Sequence, residues 1–80
     1  VFSVNSFGAS GEKGNTFEAH FLDKMIMHHK DGVKMAEMGM KKTSNPEVKK
    51  MSEKMISDQK NEITQMQIWR KELYSNVPQS

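Results

Sequence analysis

Two adjacent histidines, His28 and His29, sit in a stretch running from Met25 to Met40 that also holds Met27, Met35 and Met38. Neutral imidazole and thioether are soft to borderline donors, so the chemistry such a set can do is to hold Cu(I), or Ag(I) as its mimic. On a helix Met25 falls one turn before His29, and Met35 falls seven residues after His28 on the same face. Gln59, Glu62 and Met66 repeat the mixture in the second half of the chain. The candidate ligands are therefore Met25, His28, His29, Met35, Glu62 and Met66. Gln59 and Glu62 are also placed to orient an imidazole from behind. Glu62 fits that second role better, because a thioether-rich site selects a soft ion. His20, Met27 and Met38 fall towards the outer face and form a peripheral set. The spacing leaves a purely structural reading open: a buried imidazole bonded to Gln59 or Glu62 satisfies every polar group, and Met25 and Met66 taken singly suit a core.

Two long helices must position these residues. Ala19, Leu22, Ile26, His29, Val33, Ala36 and Met40 recur at alternating three- and four-residue steps, the seam of a helix packed lengthwise against others. The spacing predicts a helix over about 16–42, capped by Thr16 or Asn15 and ending in Lys41 and Lys42, which suit the C-terminal dipole. Thr43-Ser44-Asn45 is the break, and Asn45 before Pro46 is a helix start. The second helix is expected over about 46–74, with a seam of Val48, Ser52, Met55, Gln59, Glu62, Met66, Trp69 and Leu73. So short a connection folds the helices back antiparallel. A turn centred near Ser44 sets His29 level with Gln59, Met25 near Glu62 and Ile63, and Leu22 near Met66. Gly32 and Gly39, each costing about 1 kcal/mol in a helix, leave room for a neighbour or a bound group.

The expected fold is thus all-α: an antiparallel two-helix hairpin over 15–74, a flexible Gly- and Ser-rich leader over 1–14, and a frayed tail over 75–80. Two seams with apolar flanks cannot be covered within one hairpin, so two copies are expected to pair as a homodimeric four-helix bundle.

Eighty residues with 35% apolar and 28% charged side chains describe one small globular domain rather than a disordered chain. No apolar run spans a bilayer. The net charge of +2 is spread among alternating Lys, Glu and Asp, so no nucleic-acid face emerges. The absence of cysteine beside eight methionines points to the bacterial periplasm or the cell exterior, where a thioether forms no disulfide. The chain opens on Val, as expected of a processed or truncated form whose leader acts as a tether. No Glu-x-x-His pair suggests a di-iron centre, no nucleophile is placed by a motif, and no enzyme is expected.

The combination Phe21-Leu22-Asp23-Lys24-Met25-Ile26-Met27-His28-His29, then Met35-Ala36, then Gln59, Glu62-Ile63, Met66 and Trp69, resembles the bacterial domain-of-unknown-function 305 family over about residues 16–74. These are ferritin-like helical proteins with periplasmic copper-binding members. Met27 stands where the family often has Pro, Gly32-Val33 where Ala and an aliphatic are usual, and Ser52 where Ala is common. None of these removes a candidate ligand. The resemblance implies copper or silver handling for metal resistance or transfer, with a copper-donor or acceptor protein as partner. The alternative is a metal-free helical dimerisation module whose polar layer fixes the helix register.

Overall fold

The computed structural model describes residues 12–79, with side chains from residue 15 onward. The leader expected over 1–14 lies for the most part outside the described residues. Helix α1 spans Glu12–Lys42 and helix α2 spans Pro46–Tyr74; among the described residues there is no strand. The all-α hairpin read from the periodicity is the architecture found. Helix α1 starts a turn earlier than expected, at Glu12, so Asn15 and Thr16 lie inside the helix rather than capping it.

The break and the start of α2 follow from local chemistry. Asn45 has extended backbone angles (φ −84°, ψ 119°), and its side chain accepts from the amides of Glu47 and Val48 at 2.8 and 3.3 Å. Pro46 then fills a position that has no use for an N–H. Thr43 Oγ1 accepts from the Asn45 amide at 3.0 Å, which fixes the turn. With three residues between the helices, the antiparallel return is forced.

The buried face of α1 is the predicted one: Ala19, Leu22, Val33 and Ala36 are covered, with Ile26, His29 and Met40 half-buried. The core cluster joins Ala19 and Leu22 to Met66 and Tyr74, with Met25, Ile26, Trp69 and Val77 packed against it. Full burial of Leu22 contributes about 1.5–3 kcal/mol.

Helix α2 is rotated from the expected seam. Ser52, Met66, Arg70 and Tyr74 are buried and Ile56, Gln59 and Ile63 half-buried, while Val48, Met55, Glu62 and Leu73 lie on the exposed edge. Two polar side chains account for this, because each finds partners inside. Arg70 donates to both carboxylate oxygens of Asp23 and to the carbonyls of Tyr74, Val77 and Pro78. The Tyr74 hydroxyl bonds Glu18. A satisfied guanidinium can be buried where an unpaired one cannot. The same bonds settle the tail. Val77 packs on the core, and the His20 ring donates to the Pro78 carbonyl at 3.3 Å. Residues 75–79, expected to fray, are tied back over the open end of the hairpin.

Candidate metal-binding face

His29 is held from both sides. Its Nδ1 donates to the Met25 carbonyl at 2.9 Å, one turn back on α1. Its Nε2 lies 2.6 Å from Glu62 Oε1 across the hairpin. A carbonyl only accepts, so Nδ1 carries a hydrogen. The bond to Glu62 then needs a second hydrogen between Nε2 and the carboxylate. The pair is half open to water, with 17% of the His29 side chain exposed and 59% of that of Glu62.

The helix register differs from the expected one by about one turn of α2. His29 meets Glu62 rather than Gln59, and Gln59 lies instead over Gly32. A Cβ on Gly32 would stand 2.4 Å from Gln59 Oε1, so this glycine is where the amide of α2 presses close to α1. Gly39 is different, since a Cβ there meets Ser52 Oγ at an ordinary 3.5 Å. Ser52 itself donates to the Val48 carbonyl at 2.9 Å.

The predicted ligands separate into three environments. His28 is exposed, its ring centroid 6.3 Å from that of His29 at an interplanar angle of 62°. Met66 belongs to the core cluster and half-buried Met25 packs against it, each about one turn from the His29–Glu62 bridge. Met35, Met27 and Met38 are 75%, 66% and 56% exposed, and Met35 lies about 10 Å along the axis from His28. His20 is engaged with the tail and Met27 borders a groove on the other flank. Among the described residues no three His, Asp or Glu side chains converge. The donors fit a soft ion in kind, but the helix pair alone does not gather them at one point.

Helical geometry puts much of the apolar surface on one flank. Phe17, Phe21, Met25, His28, Gly32 and Met35 recur down α1, and Met51, Met55, Glu62, Trp69 and Leu73 down α2. For antiparallel right-handed helices both rows lie on the side of the His29–Glu62 bridge. Phe17 and Phe21 stack there, with centroids 6.0 Å apart.

At the open end, Glu18 is 1% exposed. Tyr74 bonds its Oε1, while Oε2 has no hydrogen-bond partner. Loss of hydration pushes the Glu18 carboxyl above its usual value. This network of Glu18, Asp23, Arg70 and Tyr74 was not legible in the sequence as a site; the one hint was that charged residues at 18 and 70 border the apolar seams.

These two helices belong to a described family. The sequence profile described as Domain of unknown function (DUF305) matches residues 8–70, and the chain is a member of that family. No curated protein and no solved structure matches the chain. No helix among the described residues is long and apolar enough to cross a membrane.

Proposed function

We propose that the chain is a periplasmic or extracellular binder of Cu(I), with Ag(I) as its mimic, serving metal resistance or transfer. A homodimer is proposed as the working form. The observation that carries this reading is the exposure of the thioethers. Met35, Met27, Met51, Met38 and Met55 are 75%, 66%, 57%, 56% and 40% exposed, whereas Met66 alone among the eight methionines is counted with the buried core. Core-filling methionines would be covered, and these are not. Met35, Met51 and Met55 share a flank with exposed His28, so soft donors outnumber hard ones on that surface. His28 offers a ring nitrogen to a metal more readily than His29, both of whose nitrogens already face oxygen. His29 instead holds Glu62 and braces the face.

A second copy laid on this flank would cover Phe17, Phe21 and Leu73, complete four helices, and bring thioethers of two chains together. Large apolar side chains gathered on one exposed flank, among them Phe17 and Leu73, suit a partner surface. A second reading, a metal-free dimerisation module, is favoured by the His29–Glu62 bridge, which is complete without a metal. Calorimetric titration with Ag(I), which needs no reductant, separates the two. Heat of binding that weakens in Met35→Leu and His28→Ala, with helicity unchanged, supports the metal reading. A flat titration leaves the dimerisation module. Sedimentation supports pairing if Phe21→Glu converts a dimer into a monomer, and opposes it if the parent chain is already monomeric at micromolar concentration.

A further inference from the structure

The flank opposite the His29–Glu62 bridge carries a groove of about 680 Å³, between α1, α2 and the folded-back tail. Its size is in the range of small-ligand sites. Ile26, Met27 and Val77 give it an apolar floor, and Lys24, Lys30 and Lys71 border it. Among the described residues these three lysines form no ion pair. The carboxylate on this wall, Asp23, is already taken by Arg70 at 2.8 Å, so it neither repels an anion nor neutralises a lysine. Arg70 in turn spends its donors on Asp23 and three carbonyls, and it serves as a wall rather than a ligand.

We infer that this groove binds an amphipathic monoanion, a carboxylate with a medium-length alkyl chain. The ammonium groups of Lys24, Lys30 and Lys71, spread along the groove, would supply the positive field that draws the carboxylate in, and the chain would lie along Ile26, Met27 and Val77. Charge complementarity selects this occupant. Three unpaired cations exclude a metal ion. The apolar floor gives an inorganic anion nothing to bury, whereas every methylene of an alkyl chain gains by leaving water. The groove lies away from the flank assigned to pairing, so a dimer leaves it open, and it stands whether or not the chain binds metal.

The test is calorimetry of the full chain with octanoate, against 1-octanol and acetate, at low ionic strength. Octanoate should bind at least about tenfold more tightly than 1-octanol, since exposed ion pairs together amount to roughly that factor, and at least as far ahead of acetate, which makes the same ion pairs but has no chain to bury. Lys24→Gln/Lys30→Gln/Lys71→Gln should lose about the same factor with its helicity intact, whereas Lys41→Gln, at the far end of the hairpin, should bind like the parent. Equal affinity for octanoate and octanol overturns the inference, and so does undiminished binding by the triple variant. Co-sedimentation with phosphatidylglycerol vesicles without affinity for free octanoate would also overturn it, by assigning the lysines to a membrane surface.

Discussion

Arg70→Ala should be the most damaging single change in the hairpin. The Arg70 side chain is 7% exposed and bonds both oxygens of Asp23, a side chain itself 11% exposed, together with three carbonyls. Removing one member of a buried pair costs about 3–5 kcal/mol, because the other charge stays behind unpaired. Relaxation trims this figure. Asp23 borders the groove and can turn to water, and the tail can undock to hydrate its carbonyls, at the expense of Val77 burial. About 3 kcal/mol is the expected loss. A chain of this size has roughly 4–12 kcal/mol in total, so the midpoint in urea, followed by helical circular dichroism at fixed protein concentration, should fall sharply. Arg70→Lys should recover little, since one ammonium cannot span a carboxylate and three carbonyls. A loss below about 1 kcal/mol for Arg70→Ala, or a lysine variant as stable as the parent, would refute the view that this cluster locks the open end.

Three further outcomes follow from the geometry. Burial raises the Glu18 carboxyl above its usual value, so the folded state binds the proton more tightly than the unfolded one. Its contribution is complete below the ordinary pKa of 4.5 and is lost as pH rises through the raised value; Glu18→Gln should flatten that fall in urea titrations across acidic pH, and an unchanged slope would contradict it. His29→Ala and Glu62→Ala should be non-additive in a double-mutant cycle, with a coupling of about 0.5–1 kcal/mol, the range of a half-exposed pair rather than a buried one. Gly39→Ala should raise the thermal midpoint through about 0.5–1 kcal/mol of helix propensity, whereas Gly32→Ala should gain less, because Gln59 must first move aside.

The sequence carried the hairpin in features that act locally. The Asn45-Pro46 start and the apolar steps of α1 depend on neighbours within a turn or two, and both are found as expected. What it carried poorly was the face of α2. Arg70 and Tyr74 are buried because Asp23 and Glu18 wait on the other helix, and residues 66–74 hint at that only through a charge at 70 beside the apolar seam. The tail was misjudged for the same reason: Val77 and Pro78 are held by a guanidinium from α2 and by His20 from α1. The expected helix register is about one turn off: it sets His29 level with Gln59 and Met25 near Glu62, whereas the structure bridges His29 to Glu62. Soft donors were legible as residue types; their separation into core, exposed flank and opposite groove depends on packing.

The claim that thioethers hold the metal is tested most directly by X-ray absorption at the copper edge of the Cu(I)-loaded protein. The chain has no cysteine, so any protein sulfur bound to copper must come from methionine. The proposed function predicts a sulfur shell together with imidazole scattering, the sulfur part shrinking in Met35→Leu. A spectrum of nitrogen and oxygen neighbours without sulfur would contradict it.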